Sequence, residues 1–409
     1  MLLYPRYIEP VLNVALADTP VVCLLGPRQV GKSTLVQQLK PKRAYISFDD
    51  QNLLNAARND PIGFVQGLPE PVILDEVQRV PELMPAIKSA VDRQRTSGRF
   101  LLTGSANLLL LPRVQESLAG RVEVVQLNPL SEMEKQGGKN SLLESLLAGV
   151  IKTKISASQD IVQGTAEAIC SGGYPEPNTR ATSRARQWYK QYLNAIIQRD
   201  VKDIAAVRNV NELMRLMELL AYRTANLVNV SNLAGDLGMD RETVENYIAV
   251  LERLFLIRRL PAWHTSNAKR LIKTPKVHVI DSGLAAMLNR LKMEDWQSKS
   301  RDFGALLESF VVQQLICQAG WVNSDLTFSH YRDKEKVEVD LVIEQGRKVW
   351  AVEVKRAASV HDKDGVGLAK ISAQAGKNFK GGILLYSGAN CLPLKVDKCF
   401  AVPMDRLWA

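Results

Sequence analysis

The stretch GPRQVGKSTL, residues 26–35, has the residue types and spacing of a loop that binds phosphate. Its glycines allow backbone N–H groups to turn inward around phosphate oxygens. Lys32 can reach the β- and γ-phosphates, and Ser33 offers a hydroxyl to Mg²⁺ at a helix N-terminus. The stretch therefore predicts ATP binding, although a glycine-rich turn without a ligand is the alternative. The predicted nucleotide contacts are Gly26, Pro27, Arg28, Gln29, Val30, Gly31, Lys32, Ser33 and Thr34.

Two acidic residues, Asp75 and Glu76, follow the short apolar run from Val72 to Leu74. After a phosphate-binding loop, a carboxylate pair at the end of a buried strand is typical of a site that hydrolyses nucleotides. Asp75 is predicted to hold Mg²⁺ through water, opposite Ser33 and as part of the nucleotide site. Glu76 is predicted to polarise the attacking water as a general base.

Polar residues also end the next apolar run, RFLL. Ligands of α/β sheets lie at the carboxyl ends of strands, so Ser105 is predicted to sense the γ-phosphate, with Thr103 and Asn107 as alternatives. The same residues would suit a plain cap between a strand and a helix.

Arg121 stands immediately before another apolar run, Val122 to Leu127. An arginine at this place can stabilise the transition state on a neighbouring subunit's nucleotide, as an arginine finger does. That role requires a homo-oligomer. A surface arginine paired with Glu123 or Glu116 is the alternative.

A second charged constellation lies in EVDLVIEQGRKVWAVEVK, near the C-terminus. If residues 346–347 form a two-residue turn, the hairpin register is set. The predicted pairs are Glu344 with Val349, Leu341 with Val352, Val339 with Val354, Asp340 with Glu353, and Glu338 with Lys355. Facing Cβ atoms lie about 5 Å apart, so Asp340 and Glu353 can share one divalent cation beside Lys355. Ordinary cross-strand salt bridges on a solvated face are the alternative.

The elements that position these residues are predicted from apolar periodicity. VVCLL, AYISFDD with Asp49 and Asp50 at its end, and the three runs already mentioned read as buried strands, and residues 161–225 read as helices. The stretch from Val230 to Trp263 reads as a helix-turn-helix with a following wing strand, in which Ser231 and Asp240 cap the helices. Its wing is basic, but its second helix begins with carboxylates. A packing or protein-contact role is therefore weighed beside DNA binding.

Composition bounds the class of protein. The chain has 409 residues, 46% hydrophobic and 23% charged, as in an ordinary folded protein of two or three domains. A net charge of +10 permits a nucleic-acid partner, for which DNA is favoured over RNA. No apolar run has transmembrane length, which predicts no membrane contact and a cytoplasmic protein. Five scattered cysteines predict reduced thiols without a zinc site.

The motifs GPRQVGKSTL, ILDEVQ, LLTGS and SLAGR followed by NPLSEME resemble the AAA+ ATPases of AAA family 14, close to the archaeal-ATPase type, over residues 1–135. Met133 departs from this pattern, where an aromatic residue is common. GGYPEP, YLNAIIQRDV and IDSGL resemble a domain of unknown function (4143) that is usually fused to such an ATPase. The hairpin resembles the PD-(D/E)xK nucleases. That resemblance implies Mg²⁺ ligation by Asp340, Glu353 and Glu308, and action of Lys355 on the attacking water.

The predicted fold class is α/β: a P-loop AAA+ ATPase domain with a parallel sheet, a helical and winged-helix middle, and a PD-(D/E)xK-like α/β domain. The predicted bounds are 1–136, a linker at 137–160, 161–225, 226–300 and 301–409. We expect ATP hydrolysis with Mg²⁺, coupled to a domain that cuts or holds nucleic acid. The alternatives are a nucleotide-dependent switch that binds a protein partner, and a DNA-binding regulator.

Overall fold

The computed structural model describes residues 3–105, 120–154, 161–204, 207, 209–266, 270, 273–322 and 325–409. Its first domain is built on a parallel sheet with strand order β2-β3-β4-β1-β5. These strands are β1 (Val21–Leu25), β2 (Ala44–Ser47), β3 (Val72–Asp75), β4 (Phe100–Gly104) and β5 (Val122–Gln126). All five predicted strands are confirmed. Because the strands are parallel, the loops after β1 and β3 emerge at the same edge of the sheet.

Among the described residues of this domain, the α-helices that accompany the sheet are α1 (Glu9–Asp18), α2 (Lys32–Gln38), α3 (Gln51–Asn59), α4 (Pro61–Gln66) and α5 (Leu83–Arg93). The central strands β1 and β4 are buried along their whole length, since helices cover both faces. Helix α2 begins at the lysine of the phosphate-binding motif. The motif therefore stands at the N-terminus of a helix, as predicted.

The middle of the chain is mainly helical. Its elements are α6 (Glu132–Gln136), α7 (Leu142–Leu147), α8 (Ile161–Ser171), α9 (Thr182–Ile204), α10 (Val210–Tyr222), α11 (Val230–Leu237), α12 (Arg241–Arg253) and α13 (Ser282–Leu288), with strands β6 (Asn226–Leu227), β7 (Ile257–Leu260) and β8 (Lys276–Val279). The strands form an antiparallel sheet of order β6-β8-β7. The helices predicted for residues 161–225 are confirmed by α8, α9 and α10.

Helices α11 and α12 match the predicted helix-turn-helix, with one correction. The N-cap of α11 is Asn229, whose side chain accepts from the backbone N–H of Asn232, and not Ser231. Gly238 ends α11 in the left-handed region, with φ of 65°. Asp240 caps α12 as predicted. The prediction placed the start of the helix two residues late.

The predicted linker at 137–160 contains a helix. Leu142, Leu143 and Leu146 of α7 are buried. Gln318 accepts from the Ser141 hydroxyl at 2.8 Å and from the Leu143 amide at 2.9 Å. This packing against the C-terminal part contradicts a free linker, because the short apolar stretch finds a buried partner there. Residues 155–160 lie outside the described part of the chain.

The C-terminal domain is a mixed sheet of order β13-β14-β12-β11-β10-β9. Its strands are β9 (Thr327–Arg332), β10 (Glu338–Gln345), β11 (Lys348–Lys355), β12 (Phe379–Tyr386), β13 (Leu392–Pro393) and β14 (Cys399–Pro403), with helices α14 (Ser300–Val322) and α15 (Val366–Ala375). The predicted order of helix, three strands, helix and strand is confirmed. Strands β13 and β14 were not predicted.

One buried apolar cluster connects these parts. It includes Leu12 of α1, Tyr192 of α9, Leu251 of α12 and Leu315 of α14. The domains therefore share one hydrophobic core, so that a displacement of one domain is transmitted to the others through packed side chains.

The described residues include no helix that is both long and apolar enough to cross a bilayer. All five cysteines are free thiols, as predicted. Burial raises the pKa of Cys23 to about 12, so this thiol beside the phosphate-binding loop stays protonated and unreactive.

Candidate functional site

The phosphate-binding loop joins β1 to α2, and its backbone has the required shape. Gly31 has φ of 97° and Gln29 has φ of 60°, so two residues of the loop are left-handed. Gly26 passes close to the next strand: a Cβ there would lie 2.1 Å from the Leu127 carbonyl oxygen. Lys32 is buried and donates to the carbonyls of Gly26 at 3.0 Å and Pro27 at 2.8 Å. The loop can therefore present its amide groups and one ammonium to an anion.

A cavity of about 590 Å³ opens above this loop. The motif residues that line it are Arg28, Gln29, Val30, Gly31, Lys32, Ser33 and Thr34. The opposite wall comes from the middle of the chain, through Pro175, Glu176, Arg180 and Trp188. A cavity of this size accommodates a nucleotide, and its walls belong to two parts of the fold.

The Asp75 carboxylate accepts hydrogen bonds from several hydroxyl groups. Ser33 donates to its Oδ2 at 3.0 Å, Tyr45 donates to the same oxygen, and Thr103 donates to its Oδ1. Burial and the hydrogen bond to Asp75 raise the pKa of Tyr45 to about 12. The predicted pair of Ser33 and Asp75 is brought together, whereas Tyr45 was missed. Its place in β2, the strand that pairs with β3, was the signal that could have identified it.

Glu76 lies beside Asp75 in the left-handed region, with φ of 60°. Its Oε2 accepts from the Ser105 hydroxyl at 3.0 Å and from the side-chain amide of Gln78. Gln78 also donates to Ser105 at 2.8 Å. Ser105 is thus placed at the predicted edge of the sheet, where it contacts the predicted base. The alternative residue Asn107 lies outside the described residues.

Arg6 links the loop to the rest of the domain, and sequence reasoning missed it. Its guanidinium donates to the carbonyls of Val30 and Asn128, each at 2.7 Å, and to Glu134 Oε1 at 3.1 Å. Glu134 completes a capping box with Ser131 at the start of α6. Arg6 has no motif of its own, because its partners are distant in sequence.

Arg121 lies just before β5, at the amino edge of the sheet and opposite the loop after β1. It forms a bidentate ion pair with Asp92, with oxygens at 2.5 and 3.1 Å. Asp92 was not among the partners considered from sequence, and one of those partners, Glu116, lies outside the described residues. This edge lies away from the nucleotide site of the same subunit, so the role across a subunit interface and that of a surface arginine both stay open.

The motifs GGYPEP and IDSGL meet beside NPLSEME. Gly173 donates its amide to Asp281 at 2.7 Å, and its carbonyl accepts from the Leu130 amide at 2.7 Å. A Cβ on Gly173 would lie 2.4 Å from the Leu130 carbonyl oxygen. Tyr192 of α9 donates to the Arg28 carbonyl in the loop at 3.2 Å. The middle of the chain therefore touches the phosphate-binding loop directly.

The C-terminal hairpin has the predicted register. Leu341 faces Val352 and Glu344 faces Val349 across a turn at residues 346–347. The backbone pairing of β10 with β11 extends from the turn as far as Leu341. Asp340 instead accepts the Val354 amide through its carboxylate at 2.8 Å.

Glu338 pairs with Arg332 at 2.9 Å, in place of the Lys355 partner predicted for it. Arg332 lies opposite Glu338 on β9, the other neighbour of β10, in a pairing that shifts between Val339 and Val342. Lys355 contacts Glu353 at 3.0 Å. Both residues follow the alternation of β11, as the motif predicts.

The predicted metal ligands gather around a lysine from the middle of the chain. Lys276 Nζ lies 2.6 Å from Glu308 Oε1, 3.4 Å from Glu338 Oε2 and 3.7 Å from Asp340 Oδ1. Burial alone would lower the pKa of Lys276, but these carboxylates outweigh burial and raise it. Burial, with Asp340 nearby, raises the pKa of Glu353 to about 8. Among the described residues no group of three His, Cys, Asp or Glu side chains is arranged to hold a metal ion.

The basic wing of the predicted winged helix is used internally. Arg258 donates to Gln313 at 2.9 Å and to Asn128 at 3.4 Å. Arg259 pairs with Glu252 at 2.7 Å and with Glu245. Both arginines therefore stabilise the fold, and the winged-helix role in DNA binding stays a prediction.

Residues 18–135 match the family model described as AAA domain. This segment is an AAA-type ATPase domain. Residues 163–295 match a domain of unknown function (DUF8612), and residues 303–407 match another (DUF4143). An AAA domain and a C-terminal 4143 domain are therefore found as predicted, but GGYPEP, YLNAIIQRDV and IDSGL lie in the segment that matches DUF8612 and not in the 4143 domain. The PD-(D/E)xK resemblance stays a prediction.

Relatives span most of the chain. Uncharacterized protein Rv2008c of Mycobacterium tuberculosis is 28% identical over 414 residues, which cover 100% of this chain and 85% of the relative. Uncharacterized protein MJ1544 of Methanocaldococcus jannaschii is 25% identical over 81% of this chain and 74% of its own length. Among solved structures, the Walker-type ATPase paby2304 of Pyrococcus abyssi covers 70% of this chain and 96% of its own, at 16% identity and a TM-score of 0.42.

Proposed function

We propose that the protein binds and hydrolyses ATP in the cavity above residues 26–34. The observation that carries this proposal is the contact between the Ser33 hydroxyl and the Asp75 carboxylate at 3.0 Å, with Glu76 next in the chain. These are the three positions that a P-loop hydrolase needs: a hydroxyl and a carboxylate for the magnesium ion, and a base for water.

The chemistry of the donor set fits Mg²⁺. Ser33, in the first turn of α2, and Asp75, at the end of β3, supply hard oxygen atoms, and Thr103 and Tyr45 hold the carboxylate in place by donating to it. When bound, the ion neutralises charge that develops on the phosphate oxygens. Lys32 and the loop amides position the phosphates, since their donors already point into the loop.

Glu76 is proposed to accept the proton of the attacking water. Ser105 and Gln78 both donate to its carboxylate, which fixes the side-chain orientation that a base requires. Without either donor, the Glu76 side chain would adopt more rotamers and would less often be oriented to accept the proton of the attacking water. Ser105 thus supports hydrolysis by positioning the base.

We further propose that nucleotide occupancy is communicated to the rest of the chain. Tyr192 contacts the loop carbonyl of Arg28, and Trp188 lines the cavity from the same helix. On the other side, Arg6 ties the loop to the segment whose Glu132 amide donates to Gln314 of α14 at 2.8 Å. A phosphate group bound in the loop would affect both the Tyr192 contact and the Arg6 contact, because each of them is a hydrogen bond to a loop carbonyl.

Calorimetric titration with ATP tests the proposed site. The unmodified protein should bind, Lys32→Ala should lose tight binding, and Glu76→Gln should retain it. Lys42→Ala, a change at an exposed lysine outside the loop, is the matched control. Equal affinity of Lys32→Ala and the control would overturn the assignment.

A second candidate function is that the C-terminal domain engages nucleic acid. The net charge of +10, and the gathering of Asp340, Glu353 and Lys355 on one hairpin, favour it. Phosphate contacts give an affinity that falls steeply with ionic strength, whereas a protein partner need not behave in this way. DNA binding measured between low and physiological salt therefore separates this candidate from a protein-binding switch. Absence of binding at low salt would remove it.

A further inference from the structure

The side chain of Lys276 crosses from β8 into the carboxylate cluster of the C-terminal domain. Its side chain is 2% exposed. The strand face that carries it also carries His278, which contacts Ser309 of α14 at 2.9 Å. Helix α14 presents Glu308 to the lysine in the same way, so the placement of the ammonium is set by two successive contacts between β8 and α14.

The cluster is arranged around this ammonium. Glu308, Glu338 and Asp340 each place an oxygen atom within 4 Å of Nζ. The second oxygen of Asp340 is occupied by the Val354 amide. Glu353 is also buried, and its Oε2 has no hydrogen-bond partner in the described part of the chain. Carboxylates that are buried together repel one another unless one is protonated or a cation lies between them, and here an ammonium group of the protein itself lies among them.

We propose that the ammonium of Lys276 takes the place of a divalent cation in this cluster, so that the C-terminal domain is a metal-independent binding module and not a nuclease. The predicted metal ligands do come together, but the negative charge of their carboxylates is already balanced by a lysine of the same chain. The residue that conflicts with the PD-(D/E)xK expectation is thus Lys276, which lies outside the motif itself.

An ammonium group in the place of a metal ion has a chemical consequence. A bound divalent metal lowers the pKa of its water and so favours formation of a nucleophile. An ammonium group offers hydrogen bonds and one positive charge, but it does not coordinate water as a Lewis acid. The cluster can therefore join β8 to the C-terminal domain without supporting phosphodiester hydrolysis.

Titration of nucleotide-free protein with Mn²⁺ is the first test, because it depends on no activity and uses the intact chain. The unmodified protein and Asp340→Asn should show the same Mn²⁺ uptake, which means that Asp340 ligates no metal. Uptake by the unmodified protein that Asp340→Asn abolishes would overturn the proposal. Asp340→Asn is nearly isosteric, so this comparison survives even if lysine variants fail to fold.

Replacement of the lysine is the second test. Lys276→Met keeps the apolar stem and removes the charge, so in EDTA it should lower Tm by roughly 6–10 °C. Mn²⁺ should then restore most of the loss, through a site that Lys276→Met/Asp340→Asn lacks. Lys273→Met, at a half-buried lysine on the same segment, should do neither. A Tm for Lys276→Met equal to that of this control would contradict the proposal.

Discussion

Replacement of Arg6 by methionine should destabilise the protein more than any exposed ion pair does. The Arg6 side chain is 9% exposed and that of its partner Glu134 is 2% exposed. Breaking a buried pair by removing one member costs about 3–5 kcal/mol, because the remaining charge stays buried. Glu134 keeps the amide of Ser131 at 2.9 Å and that of Tyr7 at 3.1 Å, so we expect a value near the lower end.

Urea unfolding gives the measurement, with Arg180→Met as the control. Arg180 lines the same cavity, but its pair with Glu176 is 33% and 39% exposed, so its loss should cost less than about 1 kcal/mol. A double-mutant cycle with Glu134→Gln should return a coupling energy of about 1–3 kcal/mol. Equal losses in the two arginine variants, or zero coupling, would refute the reasoning.

The same variant should weaken ATP binding by about tenfold, since the Val30 carbonyl loses a charge-assisted hydrogen bond and the loop loses its orientation. Titration of the folded variant measures this loss. Unchanged affinity would show that Arg6 stabilises the domain without shaping the loop.

Three further outcomes are expected. Gly26→Ala should abolish ATP binding in a nucleotide titration, because its Cβ would lie 2.1 Å from the Leu127 carbonyl oxygen, and retained affinity would contradict the loop geometry. Arg121→Ala mixed with an equal amount of Lys32→Ala should recover about a quarter of the wild-type ATPase rate, whereas no recovery would make Arg121 a surface residue. Burial lowers the pKa of His330 to about 4, below the 6.5 of the unfolded chain, so stability should fall as pH drops from 6.5 towards 4. In urea unfolding at each pH, His330→Asn should remove on the order of 3 kcal/mol of that loss, and an unchanged slope would contradict it.

The strands, the phosphate-binding loop and the hairpin register were predictable because each follows from local chemistry. VVCLL is buried on both faces of a parallel sheet, so it reads as an apolar run. Gly31 and Gln29 adopt backbone angles that the motif requires. The turn at 346–347 sets the pairing of Leu341 with Val352, since register in a tight hairpin depends on the turn alone.

What sequence reasoning missed depends on contacts between distant segments. Lys276 belongs to a strand of the middle region and reaches a C-terminal cluster, and no local pattern marks such a residue. Arg6 is likewise defined by its contacts with Val30, Asn128 and Glu134, which follow it far along the chain. The Arg332 partner of Glu338 lies on β9, and the hairpin calculation included only the two strands on either side of the turn.

The measurement that tests the central claim most directly is single-turnover hydrolysis of ATP, with Mg²⁺, by the unmodified protein and by Glu76→Gln. Both should bind ATP with similar affinity. The unmodified protein should release phosphate, and Glu76→Gln should slow that step by about 10²-fold or more, because the variant lacks the base while the phosphate contacts remain. Equal rates of phosphate release from the two proteins, or no release from either, would contradict the proposed hydrolysis at this site.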